Sequence, residues 1–227
     1  MTEFQPFLME RMMSKYEQLV EYNLTESGVY PVLLDDLLDR DPARIEGLLS
    51  TRLNYAHAEG IPELREHIAA LYPGAGPENV LVTVGAIEAN YISIQTLLRR
   101  GEAISIMLPN YMQIWGIAKN MGLDVSEFNL LEEQSWALDR DGLNESVTNS
   151  TRLIAVCNPN NPTGHILTDS EMDAIITAAD HVGAWILADE VYRGAERTTD
   201  VETPSFYGLY DKVVATGSLS KAYGLPG

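Results

Sequence analysis

Basic residues are scarce in this 227-residue chain: 15 Lys and Arg stand against 33 Asp and Glu, a formal net charge of -18. Nucleic-acid binding needs clustered Lys and Arg, so that class is disfavoured. Attachment to an anionic membrane surface is disfavoured for the same reason. Any phosphate ligand must be held by a local site, not by the field of the whole protein. Cysteine is down to Cys157 alone, which excludes an internal disulfide and fits a reducing compartment. No apolar run approaches the roughly 20 residues of a membrane span. Glu3 and Glu10 stand where a secretory leader would be basic and then apolar, so the cytoplasm is the expected location. His57, His67, His165 and His181 are dispersed without ligand spacing, and no metal is expected. Internal repeats and low-complexity tracts are missing as well.

What remains is an ordinary globular composition, 45% hydrophobic and 21% charged, at a length that holds one large domain or two small ones. Phe7 to Tyr22 reads as an amphipathic helix, with Leu8, Met12, Tyr16 and Leu19 at helical spacing. Pro31 to Leu38 reads as a short helix, Leu53 to Gly60 as a loop, and Pro62 opens a further helix. From Asn79 strands and helices alternate. The strands are Val80–Val84, Ala103–Met107, Asp124–Leu130, Arg152–Cys157, Ala184–Ala188 and Val213–Thr216. Helices fall at Gly85 to Arg99, at Tyr111 to Met121, near Leu143, and after a Thr168/Glu171 capping box. This pattern predicts an α/β fold, a mainly parallel sheet with helices on both faces.

Polar and glycine-rich residues cluster after four of these strands, where open α/β sheets bind their ligands. Gly85-Ala86-Ile87 opens a helix whose bare amides could take a phosphate, although a glycine there also simply makes the turn. Tyr111 offers a ring that could stack on a flat cofactor or sit half-buried in the core. Asn158 to Gly164 is a rigid turn in which Asn161 could aim its amide at a phenolate or carboxylate. A structural connection would explain its prolines but not its density of asparagine. Cys157 beside it reads as a small buried residue. Asp189 ends an apolar strand, and a buried carboxylate needs a cation or hydrogen bonds; otherwise it caps the next turn. Tyr192 follows closely. Ser218-Leu219-Ser220-Lys221 closes the series with two hydroxyls and an amine, which once desolvated could form a Schiff base with an aldehyde.

Taken together, Gly85-Ala86, Tyr111, Asn161-Pro162-Thr163-Gly164, Asp189-Glu190-Val191-Tyr192 and Ser218-x-Ser220-Lys221 resemble the class I/II aminotransferases, fold-type I enzymes that use pyridoxal 5'-phosphate. The resemblance runs from about Gly28 to the last residue. It implies an aspartate-aminotransferase-like large domain, and an enzyme that moves an amino group between an amino acid and a 2-keto acid. Lys221 looks like the Schiff-base lysine, Asp189 like the partner of the pyridinium nitrogen, and Tyr192 with Asn161 like the ligands of the phenolic oxygen. Tyr111 looks like the stacking ring, and Gly85, Ala86, Ile87, Ser218 and Ser220 like the phosphate site. Tyr55 matches a tyrosine that reaches the phosphate of a neighbouring subunit, which implies a homodimer with shared active sites. Gly28 and Asn161 match residues that touch the substrate carboxylate. The implied division is residues 1–50 as N-terminal arm and helices, and 51–227 as a cofactor-binding large domain incomplete at its C-terminal end.

The sequence departs from the family pattern at Gly227, before the Gly-x-Arg whose arginine clamps the phosphate and before the C-terminal small domain. The 227 residues alone are therefore expected to be inactive. Two other functions compete. Glu26-Ser27-Gly28-Val29 looks somewhat like capreomycidine synthase-type sequences, which points to a lyase or cyclase of the same fold. A non-enzymatic sensor is also conceivable, because such domains occur fused to winged-helix domains, but no basic recognition helix precedes the fold.

Overall fold

A computed structural model describes residues 4–197 and 199–226. In chain order it runs α1 (Leu8–Tyr16), α2 (Leu34–Leu37), α3 (Pro42–Leu49), α4 (Pro62–Ala69), α5 (Gly85–Leu97), β1 (Ala103–Leu108), α6 (Gln113–Met121), β2 (Asp124–Leu131), β3 (Ala137–Leu138), α7 (Arg140–Ser146), β4 (Thr151–Cys157), α8 (Asp169–Val182), β5 (Trp185–Asp189) and β6 (Val213–Thr216). The strand order across the sheet is β3-β2-β1-β4-β5-β6. All neighbours pair parallel except β3, which runs antiparallel to β2.

Strand residues alternate between the two faces of the sheet, and the core divides accordingly. Leu153 and Ala155 of β4 point to one side, with Ile104, Ile106 and Leu187; there Ile94 and Leu98 from the α5 region and Ile114 and Ala118 of α6 cover them. Ile154 and Val156 point the other way, with Ile186 and Ala188, under Met172, Ile175 and Ala179 of α8. Each large aliphatic residue fully buried this way contributes roughly 1.5–3 kcal/mol, so both helix layers are held firmly. The expected fold class is therefore the observed one. The α8 helix begins where its capping box does: the Thr168 side chain accepts from the Glu171 amide while Glu171 reaches back. It ends at Gly183, whose φ of 69° stops a helix without a Cβ penalty.

The strand expected over Val80–Val84 does not form. Its β-branched residues keep the backbone extended, but a strand needs a neighbour to pair with. Here a single backbone bond, Val82 N–H to the Glu59 carbonyl at 3.0 Å, replaces a ladder. Leu81 and Val84 are exposed accordingly. The sixth strand is instead the short β3. The first helix ends at Tyr16, not Tyr22; it buries no residue, so nothing holds the Val20 and Tyr22 turn in helical form. The Pro31–Leu38 helix shrinks to Leu34–Leu37. Helix α3 was not expected, although Asp41 caps it by accepting from the Ala43 amide and Pro42 takes its first position.

Glu190 lies buried just past β5. Its Oε1 accepts from the Ser205 hydroxyl at 2.8 Å and the Phe206 amide at 2.9 Å, while Oε2 finds no partner among the described residues. Burial pushes its pKa up to about 7 from 4.5, against those hydrogen bonds and Arg193. An acid whose folded pKa is raised binds its proton longer in the folded state, so stability falls as pH climbs from 4.5 through about 7. Glu190→Gln removes that charge. The wild type is expected to lose urea midpoint between about pH 5 and pH 8, and that loss is expected to shrink in the variant. Parallel pH profiles for the two proteins would show that the carboxylate is not destabilised by burial.

Candidate active site

Five strands, β2, β1, β4, β5 and β6, run parallel with their carboxyl ends at one edge, and the order reverses between β1 and β4, the place where such sheets open a crevice. Every site residue expected from the sequence, except Tyr55 and Gly28, lines one cavity of about 490 Å³ at that edge. Gly85, Ala86 and Ile87 enter it from the first turn of α5, Tyr111 from the turn before α6, and Asn161 from the loop after β4. Asp189 and Tyr192 reach it from the end of β5, and Ser218, Ser220 and Lys221 from the loop after β6. Gly28 lines an adjoining cavity of about 690 Å³ that shares Ser27, Asn161, Tyr192 and Lys221 with the first. Tyr55 lines neither and is fully exposed.

The chain uses local devices to aim these groups. Gly85 has φ 74°, a conformation that glycine adopts readily and that turns the chain into α5. The Gly85 amide is taken by the Thr83 carbonyl at 2.9 Å, while the Ala86 and Ile87 amides have no intrahelical acceptor, and both residues line the cavity. The Ser218 hydroxyl donates to Ser220 Oγ at 2.8 Å, and the Ser220 amide donates back to Ser218 Oγ at 3.1 Å, a compact pair of hydroxyls. After β4 the density of asparagine has a structural explanation after all. Asn158 Oδ1 accepts from the Leu167 amide, and Asn160 Oδ1 accepts from the Thr163 amide and hydroxyl, so both brace the loop. Asn161 is the one left to face the cavity, its Nδ2 3.4 Å from the Tyr192 hydroxyl. Cys157 is the small buried residue expected: burial pushes its thiol pKa up, and its sulfur accepts from the Asn161 amide at 3.4 Å.

Asp189 both caps and faces the cavity. Its Oδ1 accepts from the Val191 amide at 3.2 Å, and its Oδ2 accepts from Asn90 Nδ2 at 3.0 Å. Burial raises its pKa, and those two hydrogen bonds oppose the rise. No cation pairs with it among the described residues, so a buried carboxylate aims at the cavity with room for a positive partner. Lys221 Nζ lies 2.9 Å from Glu26 Oε1, and this contact holds the Glu26 pKa below its usual value. A Cβ on Gly28 would stand 3.1 Å from Glu26 Oε1 and 3.6 Å from Lys221 Nζ, so only a bare backbone passes comfortably there. The Tyr192 hydroxyl lies 2.6 Å from Ser27 Oγ. Tyr111 is held from the N-terminal segment: its hydroxyl bonds Glu10, and the Phe7 ring meets it edge-on at 5.1 Å. Burial, with Glu10 beside it, raises the Tyr111 pKa.

Sequence reasoning missed Glu26, Ser27, Asn90 and Gln113. Asn90 had a signal, for it shares the helical stripe of the buried Ile94. Glu26 and Ser27 flank Gly28, and only the fold brings them to Lys221.

Comparison with known proteins gives the same picture. The sequence profile described as "Aminotransferase class I and II" matches residues 24–227. An aspartate aminotransferase of Pyrococcus horikoshii is 30% identical over 179 residues, 77% of this chain and 46% of that protein. A crystal structure of a PLP-dependent aminotransferase from Streptococcus suis is 32% identical, with a TM-score of 0.92 over 100% of this chain and 61% of that one. The PLP-dependent cyclase OrfR is 27% identical, with a TM-score of 0.84 over 100% of this chain and 59% of that one. The chain spans less than half the length of the curated relatives it matches, from 36% to 47%. With the profile match running from residue 24 to residue 227, the chain belongs to the class I and II aminotransferase family.

Proposed function

We propose that this chain carries the cofactor-binding part of a pyridoxal-phosphate-dependent aminotransferase, which moves an amino group between an amino acid and a 2-keto acid. One observation carries the reading: a lysine amine, a buried carboxylate without a cationic partner, a phenol with an amide, and two hydroxyls beside a helix N-terminus line one cavity. That donor set fits the groups of pyridoxal 5'-phosphate one by one. Bound there, the cofactor supplies an aldehyde for the amino group and a ring that accepts the electron pair left when the α-proton departs. Lys221 Nζ is the amine that would bind the aldehyde carbon and, once freed, would act as the base at the α-carbon. The Asp189 carboxylate would accept the N–H of the ring nitrogen and favour its protonated form. Tyr192 and Asn161 would donate to the phenolic oxygen, and Tyr111 would offer its ring to the pyridine. Ser218, Ser220 and the amides of Ala86 and Ile87 would hold the phosphate, with Gly85 making the turn that presents them. Gly28 and Asn161 border the second cavity, where the substrate carboxylate would lie.

The same reading takes residues 1–50 as an arm and 51–227 as the large domain, with α1 laid against Tyr111. It takes the assembly as a homodimer with Tyr55, exposed here, serving the partner's site. It places the protein in the cytoplasm, consistent with its single buried thiol. No helix among the described residues is long and apolar enough to cross a membrane.

The test uses full-length protein loaded with pyridoxal 5'-phosphate and a panel of amino acids, with and without 2-oxoglutarate. Without the acceptor, keto acid is expected to stop at about one equivalent per site, and sustained turnover is expected only when the acceptor is present. The likeness to OrfR favours a cyclase or lyase as the second reading. Product formed at the same rate without acceptor would establish that reading and remove the first.

A further inference from the structure

Asn90 is a polar residue on the buried stripe of α5, 1% exposed. Every hydrogen bond of its side chain crosses to another element. Its Nδ2 donates to Asp189 Oδ2 at 3.0 Å and to Gln113 Oε1 at 3.3 Å, and its Oδ1 accepts from the Thr216 hydroxyl at 3.0 Å. Gln113 Nε2 then donates to the Ile87 carbonyl at 2.6 Å. The amide's orientation follows from the partners. An ionised carboxylate only accepts, so the NH2 group must face Asp189. That leaves the oxygen for Thr216, whose hydroxyl must donate. An apolar side chain at position 90 would pack α5 against the sheet without desolvating an amide. A fully satisfied buried network instead holds its members in one geometry.

We infer that Asn90 is a positioning residue: with Thr216 and Gln113 it keeps the Asp189 carboxylate aimed into the cavity and ties it to the first turn of α5. The two ends of the proposed cofactor site, the carboxylate and the phosphate-facing amides near Ile87, are thereby set relative to one another by a single side-chain chain. The consequence for cofactor binding rests on the proposed function; the network itself does not. The hydrogen bond from Asn90 lowers the Asp189 pKa against the rise caused by burial, and the Val191 amide helps. Tyr111, Cys157 and Glu190 face Asp189 closely enough to feel its charge, and Lys221 and Tyr192 line the same cavity.

The experiment compares wild type, Asn90→Leu and Thr216→Val in the full-length protein. In cofactor-free samples the Asp189 carboxyl is titrated by carbon NMR. Its pKa is expected to rise in Asn90→Leu, which loses the donor, and to rise less in Thr216→Val, which only frees the amide to turn. Binding of pyridoxal 5'-phosphate, followed by absorbance, is expected to weaken by about tenfold or more in Asn90→Leu, the loss of one hydrogen bond to a charged group. Thr216→Val keeps the test alive if the leucine variant does not fold. An unchanged Asp189 titration in the folded variants overturns the inference and leaves Asn90 as packing. A shifted titration in protein that never binds the cofactor upholds the network and removes the cofactor reading instead.

Discussion

Lys221→Ala is expected to abolish amino transfer, with a loss of at least about 10,000-fold, because one side chain performs two tasks. In the proposed function it would hold the cofactor's aldehyde, and its freed amine would move the α-proton, a task that alone contributes up to about 10,000-fold. That factor corresponds to about 5.5 kcal/mol of barrier. Lys221→Arg separates charge from chemistry. The guanidinium can still pair with Glu26, but it does not give up its proton and cannot form the imine, so it is expected to be as inactive as alanine. Borohydride reduction of the loaded protein should fix the cofactor on the peptide from Ser218 to Tyr223. Lys212 is the natural control. It precedes β6, at the amino end of that strand, and its amine donates to the Gly183 carbonyl at 2.8 Å, away from the cavity. Label on Lys212, or turnover in Lys221→Ala within tenfold of wild type, would refute the assignment.

What could be read from the sequence follows a physical division. Strands β1, β4, β5 and β6 were legible because each is a mainly apolar run closed by turn residues, β2 was legible from Val125, Phe128 and Leu130 set among polar residues, and the helices on either face announce themselves by period. The groups at strand ends were legible for a related reason: Asp189 ends β5, and Asn161 and Lys221 lie in the loops just past β4 and β6, so topology brings them to one edge. Val80–Val84 misled because extended backbone is a local property while pairing is not. Its composition predicts the first and says nothing of the second. Asn90 and Gln113 were hidden in helices, where their meaning depends on which face turns to which strand. Glu26 was hidden differently. It lies 195 residues from Lys221 in sequence, and no local pattern encodes that contact.

Asp189→Asn should separate stability from function with opposite signs. The carboxylate is buried, and burial raises its pKa, so in the cofactor-free protein its charge opposes folding at any pH above its unfolded value. Asparagine keeps the shape and can still accept from the Val191 amide, its NH2 donating to the Asn90 oxygen once that amide turns over, while the charge is gone. The cofactor-free variant should therefore unfold at a urea concentration no lower than wild type, and the advantage should grow from acid toward neutral pH. Activity should move the other way. A neutral amide cannot hold the ring nitrogen protonated, so the ring loses most of its capacity to take the electron pair at the α-carbon. Turnover should fall by about a thousandfold or more, about 4 kcal/mol of barrier. Asp189→Ala should lose as much activity, and it should also unfold earlier, because it deserts both Asn90 and Val191. A residue retained only to cap the turn after β5 would behave differently: asparagine caps such a turn well, and its variant would keep near-normal rates. Near-normal turnover in Asp189→Asn would therefore reduce Asp189 to a cap and leave the cavity without its proposed partner for the ring.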